Sequence, residues 1–527
     1  MAEDWQKCVA KIEGNIFTPG VITYEGLIKF VKACRNIPTA EGRLGGLPSV
    51  SRRSGPGQSS LLLLNLPESR ETQSPPSTAD RVLERIREQS FPLLGLFGVS
   101  GCGKTRTVLE MLSKTWGFYF NGSEEDWGSR DLIIFHQSIK THGQRYGSGD
   151  HDANAQVHIL AMSLVLCRIM VLGHCLDIAE REGTTFTCKQ WMLLQIAPVG
   201  MNVGDMFSTL FSPIADVIHS RQMDIATMEA FVQDRFSSLY SRLQDLDSKS
   251  PSKVSWSKVP LVIDEAQTLG TDIWGIYVSH LAPLVTTAAS DEKYRRPILS
   301  PFVQGLCRMS ADQSRICVVP CGTGLSIYEM EWQAGSAVGP KRYADRLGLF
   351  SDFEGWTSLE QVQNYRALVR RSLSTEESKS FFDVCVPEES IPLLFERLRG
   401  RLAPIVYGIG RSVVLNHEEA PLVEASVGRI MEDGETMKTV LDEPFALRAA
   451  VNYFQQNDPE FHGAIFDSLS LPHPASDLGH WWEYVVLPSL KHAFHDRILS
   501  ESALIPRPPQ HTPIFAFNDE KLFDAVP

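Results

Sequence analysis

Residues 93–112 read LLGLFGVSGCGKTRTVLEML. An apolar run, Leu93–Phe97, gives way to a glycine-rich turn and then to the helical pattern TRTVLEMLSK. The turn, Gly98-Val99-Ser100-Gly101-Cys102-Gly103-Lys104-Thr105, fits the P-loop pattern G-x-x-x-x-G-K-[ST]. Each residue type has a physical reason. Glycines let the backbone wrap closely, with amides turned inward toward phosphate oxygens. A helix that begins near Lys104 adds the positive end of its dipole. Lys104 reaches the β- and γ-phosphates in this reading, and the Thr105 hydroxyl ligates Mg²⁺. A chance glycine turn needs neither the strand before it nor the helix after it, and both are present.

Working outward, Ser77 or Thr78 caps a helix that runs to about Gln89, with Val82, Leu83 and Ile86 on one face. Downstream, Leu132–Phe135, Leu261–Ile263 and Ile316–Val319 read as apolar strands, and strands and helices alternate to about residue 410. The expected fold class is therefore α/β: a P-loop NTPase with a parallel sheet flanked by helices over residues 79–410. Residues 1–40 form a helical N-terminal segment. Residues 41–78, rich in Gly, Ser, Pro and Arg, form a flexible linker, within which LLLLNL at 61–66 packs as a short strand. Residues 157–172, VHILAMSLVLCRIMVL, are interrupted by Arg168 and fall short of the ~20 residues of a spanning helix, so they read as a buried helix. Residues 411–527 make a mixed C-terminal region, helical through about 460 and then aromatic-rich.

Two further strand ends carry polar residues. VPLVIDEAQ, residues 259–267, is a buried strand that delivers carboxylates at its C-terminal edge, where open α/β sheets bind ligands. Asp264 is the expected Mg²⁺ ligand and Glu265 the base that polarises the attacking water. VVPCGTGLS, residues 318–326, ends in a small polar loop, in which Thr323 or Ser326 senses the γ-phosphate or positions water. Transition-state charge calls for a cation besides Lys104, and Arg342, Arg346 and Arg401 are the candidates.

In order along the chain, GVSGCGKTRTVLEML, GFYFNGS, WGSRD, WMLLQIAP, GDMFSTLF, PLVIDEAQ, PILSPF, CGTGLS and FEGWTSLEQVQNY resemble the P-loop NTPase module of Crinkler-type proteins of fungi and oomycetes. LRGRLAP at 398–404 is similar to the Gly-Arg segment near the end of that module. The resemblance implies an AAA-like or STAND-like ATPase that controls an attached effector activity, favours ATP over GTP, and singles out Arg401 as the nucleotide-sensing arginine. It also implies a secreted effector acting in a host nucleus. Many members carry a C-terminal PD-(D/E)xK nuclease. Here LGHWWE, residues 478–483, resembles the first helix of such a core, but the later Asp and Glu-x-Lys have no match. The nuclease is therefore expected to be incomplete, absent or truncated. The family's ubiquitin-like header is not evident in residues 1–50.

Composition bounds the remaining choices. The chain has 527 residues, a net charge of −13 and a pI near 5.6, so nucleic-acid binding would need a local basic patch against the overall field. Ten scattered cysteines without a CxxC pair point to a reducing compartment and to buried thiols such as Cys167 and Cys317. His480, His492 and His495 read as half-buried beside their aromatic neighbours. No apolar h-region follows Met1, so the sequence reads as intracellular, with no membrane partner. Three functions compete: an ATP-hydrolysing switch, with a protein partner or second copy supplying an arginine; a nucleotide-gated interaction module with little turnover; and a DNA-acting effector with a degenerate nuclease region.

Overall fold

The computed structural model describes residues 2–33, 61–63, 66, 76–90, 92–98, 102–122, 128–143, 151–199, 201–221, 223–248, 258–271, 277–278, 295–310, 312–322, 348–353, 358–373, 376–392 and 395. The chain divides into two compact units, one of residues 1–97, 104–325 and 329–352, the other of residues 98–103, 326–328 and 353–527. The C-terminal region at 411–527, with its nuclease-like segment and its three histidines, lies outside the described residues.

The first unit opens with helices α1 (Ala2–Ile16), α2 (Ile22–Ala33) and α3 (Thr78–Glu88). Strand β1 (Leu94–Phe97), helix α4 (Lys104–Lys114) and strand β2 (Phe118–Asn121) follow. Five helices then intervene: α5 (Asp131–Gly143), α6 (His151–Arg181), α7 (Cys188–Ile196), α8 (Met206–Arg221) and α9 (Ile225–Ser248). The chain continues through β3 (Val259–Asp264), α10 (Gln267–Thr271), the short antiparallel pair β4 (Tyr277–Val278) and β5 (Arg295–Arg296), α11 (Leu299–Arg308), β6 (Ile316–Gly322) and β7 (Gly348–Phe350).

The main sheet has five strands in the order β2-β3-β6-β1-β7, and every pairing is parallel. Strands β1, β2, β3 and β6 are buried along their whole length, the behaviour of a parallel sheet covered on its faces rather than one with a wet side. This is the α/β fold with helices flanking a parallel sheet. Helix α4 packs on α7 and β6, α7 on β2, and α11 on both β6 and α6. Gly305 of α11 permits the last contact, because a Cβ there would lie 2.8 Å from the His158 Cα. Helix α6 is the core of the helical layer, touching α2, α8, α9 and α11. Residues 153–181 are long and apolar enough to cross a membrane, but the most apolar window is 89% buried inside the protein, which makes α6 a core helix.

Two local expectations are corrected. Leu132–Phe135 lies in α5, not in a strand. Over the longer window Leu132, Phe135, His136 and Ile139 are buried, the i, i+3, i+4, i+7 spacing of a helix, which a four-residue apolar run cannot display. The strand slot is filled instead by Phe118-Tyr119-Phe120-Asn121, aromatic residues suited to a pleated buried surface. Residues 61–63 form a 3-10 turn rather than a strand. Carbonyls in and after this turn find side chains instead of a ladder: Arg106 Nη1 donates to Leu62 O at 2.5 Å, and Lys189 Nζ to Leu66 O at 3.1 Å. Leu63 and Leu66 are buried.

Helix α3 starts as the capping chemistry predicts. Ser77 is the N-cap and forms a reciprocal capping box with Asp80. Val82 and Ile86 are buried, Leu83 only partly. In the second unit, α12 (Leu359–Ser372) packs beside α13 (Glu376–Cys385), joined by ion pairs from Arg366 and Arg370 to Asp383 at 2.8 and 2.9 Å.

Candidate functional site

Parallel strands deliver their C-terminal ends to one edge of a sheet. Here Asn121 is level with Asp264, Ile263 with Pro320, and Leu96 with Cys321, so β2, β3, β6 and β1 end almost in line. The chain leaves β1 at Phe97 and enters α4 at Lys104. Because β6 stands between β3 and β1, the expected carboxylate strand and the expected glycine-loop strand flank it on either side.

Asp264 is the centre of the cluster and is 2% exposed. The Tyr119 hydroxyl donates to its Oδ2 at 3.0 Å, and the Glu265 N–H to its Oδ1 at 3.2 Å. The Thr105 hydroxyl and the Cys321 thiol lie near enough to favour its ionised form. Burial raises the Asp264 pKa above its ordinary value, and these neighbouring donors oppose the shift. Burial likewise pushes the Cys321 thiol far up, reinforced by the charges of Asp264 and Glu265 and opposed by that of Lys104. A protonated thiol is a donor, which is the role the carboxylate requires of it. The side chain of Lys104, in the first turn of α4, is itself buried.

Glu265 has φ +52°, in the left-handed region that costs a non-glycine residue ~1–3 kcal/mol. Several bonds hold the turn there. Ala266 N–H donates to Cys321 O at 2.9 Å, Gly122 N–H to Asp264 O at 2.9 Å, and Thr268 N–H and Oγ1 to Glu265 O at 3.1 and 2.9 Å. The Gln267 amide nitrogen donates to the Glu265 carboxylate. Gly122 is needed for closeness, since a Cβ there would meet Thr268 Oγ1 at 2.5 Å and Glu265 O at 2.6 Å.

Of the residues expected from sequence, Lys104, Thr105, Asp264 and Glu265 come together at this edge. Gly98, Cys102 and Gly103 belong to the second unit. Within it, a Cβ on Gly98 would lie 2.5 Å from Cys102 Sγ and 3.1 Å from Phe353, and Gly103 has φ +94°. Both positions therefore need glycine, one for space and one for backbone angle. Val99, Ser100, Gly101, Thr323, Ser326, Arg342, Arg346 and Arg401 lie outside the described residues. Among the described residues no group of three or more His, Cys, Asp or Glu gathers as a metal cluster.

Sequence reasoning missed Tyr119 and Cys321 as members of the cluster. Tyr119 lies two residues before the strand end and so points to the same face as Asn121. Its backbone is fixed on both sides: Gln195 Oε1 accepts from its N–H at 2.9 Å, and Arg168 Nε and Nη2 donate to its carbonyl at 3.0 and 2.7 Å. Arg168 is in turn ion-paired with Asp131 and stacks 3.8 Å from the Phe120 ring centroid. The polar interruption at Arg168 was visible in sequence; its partners were not. No family model matches this chain, and no curated protein or solved structure matches it either.

Proposed function

We propose that the chain is a Mg²⁺-dependent P-loop NTPase that binds and hydrolyses ATP and acts as a switch for an effector activity. The observation that carries this reading is the parallel sheet itself: β6 lies between β1, which leads into the glycine loop and the helix of Lys104 and Thr105, and β3, which ends on Asp264. A hydroxyl and a carboxylate are hard oxygen donors, the kind Mg²⁺ takes from protein, one or two at a time, beside phosphate oxygens. The carboxylate is buried and its partners among the described residues are neutral donors, so the site suits an added cation.

In this reading Lys104 binds phosphate oxygens with its ammonium, and Thr105 and Asp264 hold the metal. When bound, the metal neutralises charge shared between the β- and γ-phosphates. Glu265 orients a water and accepts its proton as the oxygen attacks the γ-phosphorus, the bond to the β–γ bridging oxygen breaks, and ADP leaves with that oxygen. A further arginine, Arg401 or one from a partner or second copy, completes the charge balance. ATP rather than GTP, and the switch role, rest on the resemblance to Crinkler-type modules.

The test is phosphate release from ATP with and without Mg²⁺, beside nucleotide binding, for the wild type, Lys104→Ala and Glu265→Gln. Lys104→Ala is expected to lose binding. Glu265→Gln is expected to bind ATP but turn over ~10²–10⁴-fold more slowly, the usual contribution of a general base. A wild type that binds no nucleotide sinks the proposal. One observation favours the lower-turnover reading: the Gln267 amide engages one oxygen of the Glu265 carboxylate and competes there with a water. Wild-type binding without phosphate release would make the protein a nucleotide-gated module.

A further inference from the structure

We infer that Tyr119 is a positioning residue that fixes the Asp264 carboxylate for a divalent cation, an inference that rests on the proposed nucleotide site. Three observations carry it. The Tyr119 hydroxyl donates to Asp264 Oδ2 at 3.0 Å, and both side chains are almost wholly buried, at 1% and 2% exposed. The phenol reaches Asp264 from the neighbouring strand rather than from β3 itself, because Tyr119 is level with Val262, two residues before the aspartate on the same face. And the Tyr119 backbone is clamped on both its N–H and its carbonyl by side chains of α7 and α6, Gln195 and Arg168.

The chemistry follows from this geometry. A buried carboxylate has two oxygens and a rotatable Cβ–Cγ bond. Tyr119 occupies one oxygen and the Glu265 N–H the other, so the plane of the group is set before any cation arrives. The Thr105 hydroxyl and the Cys321 thiol lie near the same carboxylate, and its remaining lone pairs are the ones a cation would take. A partner that orients a metal-ligating group commonly changes metal affinity by ~10–100-fold when removed. Because the clamp reaches through Arg168 to Asp131, helices α6 and α5 hold the strand that carries the phenol.

The experiment is binding of a fluorescent ATP analogue to the full chain, titrated with Mg²⁺ and, separately, measured in EDTA, for the wild type and Tyr119→Phe. Paramagnetic resonance of Mn²⁺ in the nucleotide complex reads the metal directly. Tyr119→Phe is expected to raise the Mg²⁺ and Mn²⁺ concentrations for half-saturation ~10–100-fold while metal-free nucleotide affinity stays within about twofold. A merely structural role would move both affinities together, and that result overturns the inference, as does a metal requirement equal to wild type. If Tyr119→Phe does not fold, Gln195→Met, which removes the acceptor for the Tyr119 N–H together with the donor to the Gly117 carbonyl, carries the same test: a higher metal requirement at unchanged metal-free nucleotide affinity supports the inference and any other result overturns it. A wild type without Mg²⁺-dependent nucleotide binding overturns the proposed function instead, so the two failures are distinguishable.

Discussion

Two buried aspartates lie on either side of β2, and they are satisfied in opposite ways. Asp131, at the start of α5, is 0% exposed and faces the guanidinium of Arg168, which is 1% exposed. Asp264, at the end of β3, is equally buried, but its partners among the described residues are a phenol, a hydroxyl, a thiol and a backbone N–H. In the helical layer the charge is matched by direct ion pairing; at the strand edge, among the described residues, Asp264 has no such pair. The first arrangement is complete without a ligand. The second keeps a carboxylate in a low-dielectric place with no cation in direct ion pairing among the described residues, and burial raises its pKa. A buried charge that the fold leaves uncompensated marks a functional position better than burial or charge does alone.

The contrast breaks most visibly if the matched pair is opened. Arg168→Ala leaves Asp131 buried without its cation, removes two donors from the Tyr119 carbonyl and empties the stack on Phe120. Losing one partner of a buried pair costs ~3–5 kcal/mol. Denaturant unfolding of Arg168→Ala is expected to show a loss of that size. A loss below ~1 kcal/mol, the value typical of exposed pairs, would mean that the helical layer does not depend on the match.

The same layer has a second vulnerable group. His158 of α6 is buried against α11, with Nε2 2.9 Å from Gln304 Oε1. Burial, with the nearby charge of Arg308, lowers its pKa from 6.5 to about 4, and the Gln304 bond opposes the shift. The folded protein therefore keeps His158 neutral where the unfolded chain takes up a proton. Stability is fully present above pH 6.5 and declines as pH falls from 6.5 to about 4, by up to ~3 kcal/mol at 1.36 kcal/mol for each pH interval of one. His158→Gln is expected to flatten this part of the stability profile. An unchanged slope would assign the acid loss to other groups.

How much of this was legible in the sequence differs between the same two regions. At the strand edge the local pattern places Lys104, Thr105, Asp264 and Glu265 at strand ends and a helix start, but not Tyr119 and Cys321, which reach the same cluster from other strands. In the helical layer the local pattern was insufficient. Arg168 showed in sequence as an interruption of an apolar run, but its partners Asp131 and Tyr119 lie 37 and 49 residues away, and no local periodicity pairs them. The window LIIF was too short to distinguish helix from strand, so α5 was read as a strand and β2 was overlooked. The insertion of β6 between β3 and β1 is likewise a property of chain topology, which hydrophobic pattern does not encode.

The smallest expected effect sharpens the comparison most. Asp264→Asn removes the charge while keeping the shape, an acceptor oxygen for Tyr119 and a backbone position next to Glu265. If Asp264 is an unmatched charge, its loss relieves a burial penalty, and stability in EDTA should stay within ~1 kcal/mol of wild type, with any change toward greater stability. Metal-dependent nucleotide binding should be lost in the same variant. The decisive quantity is the difference from Arg168→Ala measured in the same buffer. If Asp264→Asn destabilises the apo protein by as much as opening the Arg168 pair, the carboxylate is a structural member of the β2–β3 edge, bound to its four donors for the sake of the fold. If it is silent in EDTA and fatal to metal binding, the fold tolerates Asp264 for what binds there, and the two aspartates differ in function as they differ in partners.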